Sequence, residues 1–147
     1  MVKKDILLQL RQAKSAHIKW RAYAQALVSG LPVEKDHVPV IHTDCVFGQW
    51  YYGTGQQLSD LSSFDSISVP HEMLHHIYME IFKLLFGEDE RSTFQKIFGS
   101  KSKKDTQKEA NKLMQDLLAI SGTLLEAISL LEKEVKEMSE EDLLEIF

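Results

Sequence analysis

From Thr106 to Met138 the positions Ala110, Met114, Leu117, Ser121, Leu124, Ile128, Leu131, Val135 and Met138 step by four and three without interruption. A rhythm sustained that far belongs to one helix with a continuous apolar stripe, and such a helix needs neighbours to cover it. A second set, Leu113, Leu118, Ile120, Leu125 and Ala127, widens the arc. The helix over 106–138 is therefore expected to face its own bundle and, with what is left over, a second copy of the chain.

The N-terminal half supplies the neighbours. Ile6, Leu10, Ala13, His17, Trp20, Ala24 and Leu27 mark a helix from Lys3 to about Ser29, stopped by Gly30 and Pro32. Pro70 suits the first turn of another, in which His71, Leu74, Tyr78, Ile81 and Leu85 form a stripe flanked by His75 and Phe82. The expected fold is all-α: an antiparallel four-helix bundle with a short extra helix carrying the one cysteine, paired as a homodimer. A chain of 147 residues with 44% hydrophobic content forms one domain over 1–147. Its parts are a core over 1–87, a linker over 88–105 with a short helix around Phe94 to Phe98, the long helix over 106–138, and a tail over 139–147. Ser139 and Asp142 read as a capping box, so the tail is expected to fold back as a final turn.

Charge narrows the partners. A net charge of −5, with lysines and carboxylates interleaved, argues against nucleic acid or an anionic membrane surface. The N-terminus turns charged too early for a signal peptide, and the most apolar window, Leu117 to Leu131, contains Glu126 and falls short of the roughly 20 residues of a membrane span. A lone Cys45 excludes an internal disulfide and suits a reducing compartment, so a soluble cytoplasmic protein is expected. Neither a Gly-rich phosphate loop nor a Ser/His/Asp arrangement is present, and no enzymatic activity is expected.

Several side chains on or beside these stripes are not apolar. His71 and His75 stand four apart on one helix and leave the same face one turn apart, the spacing at which two imidazoles can hold one ion. His17 lies on the stripe of the first helix. Cys45 opens the segment CVFGQWYYGTG, a short helix that Thr43 or Asp44 is expected to cap and that Gly53 and Gly55 end, with Gly48 marking a close approach. Taken singly, a core histidine is a hydrogen-bonded one and a buried cysteine a small hydrophobe. Taken together, three imidazoles and one thiolate complete a tetrahedral shell for zinc. The soft donors argue against Mg²⁺ and Ca²⁺, and the lack of a Glu-x-x-His motif argues against a di-iron centre. His42, separated from Cys45 by two residues, is the reserve ligand; Asp44 is a candidate acceptor for a ligand N–H; His37 and His76 are expected in solvent.

The order His17-x-x-Trp20, Cys45-Val46-Phe47-Gly48-Gln49-Trp50, His71-x-x-x-His75 resembles the chemoreceptor zinc-binding (CZB) domain of bacteria, closely over residues 1 to about 85 and only in pattern beyond. The resemblance implies zinc held by His17, Cys45, His71 and His75, a helical bundle that dimerises, and a regulatory role. Domains of that family sense zinc or oxidants such as hypochlorous acid for chemoreceptors and diguanylate cyclases. No receptor hairpin or cyclase is present in this sequence, so a stand-alone form is expected, signalling by contact with a partner of the chemotaxis or cyclic-di-GMP type. Three alternatives stand beside this reading: a purely structural zinc, a metal-free adaptor, and a DinB-like hydrolase with three histidines and a water on the metal. A thiolate in the fourth place argues against the hydrolase.

Overall fold

In the computed structural model, which describes residues 2–34, 38–87 and 103–146, all regular structure among the described residues is helical. Three long helices dominate: α1 (Val2–Val28), α3 (Ser68–Phe86) and α4 (Lys103–Glu137). Between the first two lies α2 (Val46–Tyr52), followed by two 3₁₀ turns over Thr54–Leu58 and Asp65–Ile67. A short α5 (Glu140–Glu145) closes the chain. The expected helix around Phe94 to Phe98, most of the linker, and His37 lie outside the described residues.

Periodicity and burial coincide. Every stripe residue of α1, from Ile6 to Leu27, is buried, and so is every stripe residue of α4 from Ala110 to Val135. Gly30, at φ 82°, turns the chain out of α1 in a conformation that only glycine adopts without strain. Helix α4 packs on both α3 and α1. It runs antiparallel to α1: Gln107 Nε2 donates to the Val28 carbonyl (2.8 Å) at one end, and Lys3 Nζ donates to the Met138 carbonyl (2.9 Å) at the other. Glu134 accepts from Ser62 Oγ (2.8 Å) and the Ser63 N–H (3.0 Å), fixing the stretch that leads into α3 against the same helix.

The tail folds back as its capping box requires. Ser139 Oγ accepts from the Asp142 N–H (3.1 Å), Leu143 is fully buried, and Glu140 meets the N–H of Lys3. The secondary apolar set on α4 is only half covered, apart from the buried Ala127, and Leu130 is 56% exposed. Counted over α4 as a whole rather than over Leu117 to Leu131, an 18-residue window reaches a mean hydropathy of 1.3, long and apolar enough to cross a membrane by length and composition. One third of that window is buried inside the fold, where α1 and α3 take up its stripe.

Candidate metal centre

Cys45, His71 and His75 meet in the core. One ligand atom from each lies within 4.8 Å of the other two, and the three residues are 4%, 0% and 3% exposed. Cys45 Sγ is 3.3 Å from His71 Nε2, close to the roughly 3.6 Å that separates a sulfur and a nitrogen on one tetrahedral zinc.

The histidine helix begins at Ser68 and carries Pro70 in its first turn, so both imidazoles project from one face into the bundle. His75 Nδ1 donates to the carbonyl of Val40 (2.8 Å), which holds the ring in the tautomer whose Nε2 lone pair is free for a metal. His71 Nδ1 is buried with no hydrogen-bond partner among the described residues. The nitrogen placed to ligate is Nε2, beside Cys45, so Nδ1 is a separate buried atom that metal binding at Nε2 does not satisfy.

Cys45 caps its own helix. Its backbone is extended (φ −71°, ψ 154°) and Sγ accepts from the Gly48 N–H (3.1 Å), the role expected of Thr43 or Asp44. Sulfur takes the position because the cap residue must point back over the first turn, and that direction is also the one toward His71. Gly48 is the close approach: a Cβ there would run into the His42 carbonyl oxygen and come within 3.3 Å of Cys45 Sγ. Gly48→Ala is expected to cost about 1–3 kcal/mol in urea unfolding and to weaken metal binding, because the backbone obstacle cannot swing aside. Unchanged stability together with unchanged affinity would show that the turn is not so constrained.

His17 is buried on α1 as expected, outside the three-residue group. Its Nε2 is hydrogen-bonded to Ser121 Oγ of α4 (2.8 Å), which also accepts from Arg21 Nη1 (3.3 Å). Aromatic rings join it to the others: Trp20 touches His17 and His75, and Phe47 touches His17 and His71. His42 is near the group without entering it, its ring 6.1 Å from that of His71. His76 points into solvent and meets Glu80 (3.4 Å). Ser121 and the Val40 carbonyl are the contributors that the sequence does not announce, although a serine within an otherwise apolar stripe is a trace of the first.

Burial sets the protonation states. It lowers the pKa of His71 to about 3 and those of His75 and His17 to about 4. Neighbours that carry or would carry positive charge add to it, chiefly His75 for His71 and Arg21 for His17, while the Val40 carbonyl pulls His75 the other way. Burial also raises the Cys45 thiol, against the N–H groups of Gly48 and Phe47 that favour the thiolate. The imidazoles are thus neutral and ready to ligate at neutral pH, and a bound cation must displace the thiol proton.

Thiolate with imidazole suits zinc. A family model for the chemoreceptor zinc-binding domain matches residues 17–82, the stretch that holds Cys45, His71, His75 and His17. No curated protein and no solved structure matches the chain.

Proposed function

From the premise that residues 17–82 carry the pattern of the chemoreceptor zinc-binding domain, we propose that the chain is a zinc-binding sensory module whose ligands are His17, Cys45, His71 and His75. The observation that carries it is the gathering of Cys45, His71 and His75 in a buried group whose outer hydrogen bond at Val40 presents His75 Nε2 inward. With Nε2 of His17 engaged by Ser121, Nδ1 is the nitrogen left for the metal, and Trp20 and Phe47 tie its ring to the other two.

Bound zinc would join the middle of α1 to the N-terminal ends of α2 and α3 and keep Cys45 as a thiolate. The output is regulatory rather than catalytic in this reading, since four protein donors leave no place for an activated water. The signal is oxidation of Cys45. Although only 4% exposed, it lines a cavity of about 310 Å³ together with Lys19, Trp20 and Asp44, so a small oxidant can reach it. Hypochlorous acid would take two electrons from Sγ, giving the sulfenic acid and chloride, and the sulfenic acid is a poorer ligand than the thiolate. Release of the α2 segment would then pass to a partner of the chemoreceptor or cyclase type in the cytoplasm. The four-helix arrangement and a homodimer through the half-covered arc of α4 belong to the same reading.

Titration of the zinc-loaded chain with hypochlorous acid, following metal release, tests this. One oxidant equivalent per chain should free the zinc, and a thiol reductant should restore binding. Retention of zinc under excess oxidant would leave a structural metal instead.

A further inference from the structure

Cys45, His71 and His75 are each less than 5% exposed, so a metal held there must arrive and leave by a narrow route. A groove of about 500 Å³ opens between the loop carrying Val40, Ile41 and His42 and the outer side of α3, with Glu72 and His75 among its walls. His75 is 3% exposed, so the groove reaches an inner member of the group from outside.

At its outer end His42 Nε2 lies 3.9 Å from Glu72 Oε1, with side chains 36% and 52% exposed. Tyr52 donates its hydroxyl to the same Glu72 oxygen (3.4 Å), which steadies the carboxylate beside the imidazole. The His42 ring stands 6.1 Å from the His71 ring, and its backbone carbonyl accepts from Cys45 Sγ (3.5 Å). An imidazole and a carboxylate within one ion's reach of each other, half in solvent and one ring away from the buried ligands, form the geometry of a transfer station. We infer that His42 and Glu72 make up an outer pair through which zinc passes between solvent and the buried group, setting exchange rates rather than final affinity. This rests on the zinc reading above.

A pair that serves only the passage changes both directions alike. With the full chain, zinc uptake and its removal by an excess of a chromogenic chelator are followed by stopped flow, and equilibrium affinity is measured by competition. His42→Ala and Glu72→Gln should each slow uptake and removal by about tenfold, the low end of what a charge-lined cleft contributes to association, with the competition constant unmoved. Glu80→Gln removes the same charge further along α3, beside His76, and should leave both rates as they were. Unchanged rates in the first two variants overturn the inference. So does a loss of affinity as large as that caused by removing Cys45, which would make His42 a resident ligand. If the unmodified chain takes up no zinc, the reading of the site fails first and carries this one with it.

Discussion

Replacing Cys45 with alanine is expected to weaken zinc binding by about a hundredfold or more and leave the bundle folded. If about 12 kcal/mol of apparent zinc binding is shared by four ligands, losing one weakens binding by about 3 kcal/mol, on the order of a hundredfold. The thiolate should account for more than an equal share, as the only anion of the proposed set. The fold survives because the stripes of α1, α3 and α4 make their contacts without the cysteine, which sits at the edge of a seven-residue helix. What is lost locally is the cap: the Gly48 N–H is left without its acceptor, at a cost of about 1 kcal/mol. Hydrogen exchange should therefore quicken over residues 43–55 and nowhere else. Cys45→Ser separates the two roles, since its hydroxyl can still accept from Gly48 while binding zinc poorly; protection should return and the metal should not. Elemental analysis showing one zinc per chain in the alanine variant, at unchanged affinity, would remove Cys45 from the ligand set.

Acid should destabilise the metal-depleted chain well above the pH at which carboxylates titrate. Burial holds His71 near pKa 3 and His17 and His75 near 4 in the folded state, while the unfolded chain returns each toward 6.5. Below pH 6.5 the unfolded state therefore binds protons that the folded state refuses, and stability falls with falling pH until the folded values are reached. At pH 5.5 each histidine favours the unfolded state by about 1.4 kcal/mol, so three together contribute on the order of 4 kcal/mol, a large part of an ordinary domain's stability. Bound metal acts in the same direction, because ligation requires neutral imidazoles. Urea unfolding of chelator-treated protein between pH 7.5 and 5 measures the slope. A midpoint that stays constant across that range would mean that the rings are hydrated or partnered in a way that their burial contradicts.

The stripes were legible because burial follows the helical period wherever two helices run side by side. Each stripe residue expected on α1 is buried, and of the stripe expected over 106–138 only the last residue, Met138, just past the end of α4, is half covered. The pair His71 and His75 was legible for the same reason, since four residues on a helix is a distance as well as a spacing. The contributions from loops were not. The Val40 carbonyl on His75 and the His42 carbonyl over Gly48 are made by chain that follows no period, and only the tertiary fold decides which backbone oxygen faces which neighbour. Cys45 shows how two demands can be met by one atom: a cap was expected just before the cysteine, and the sulfur took the position.

Ser121 stands 39 residues beyond the last residue of the matched stretch, yet it holds the imidazole of His17. The apolar face of α3 likewise rests on α4, which begins at Lys103. A piece cut at residues 17–82 would keep every proposed donor atom and lose the wall that the stripes of α1 and α3 lean on, along with the first turns of α1. Transplanted into another protein, that piece would be a set of ligands without a scaffold. The portable unit runs at least from Val2 to the end of α4, and grafts of the sensor should be drawn at those boundaries.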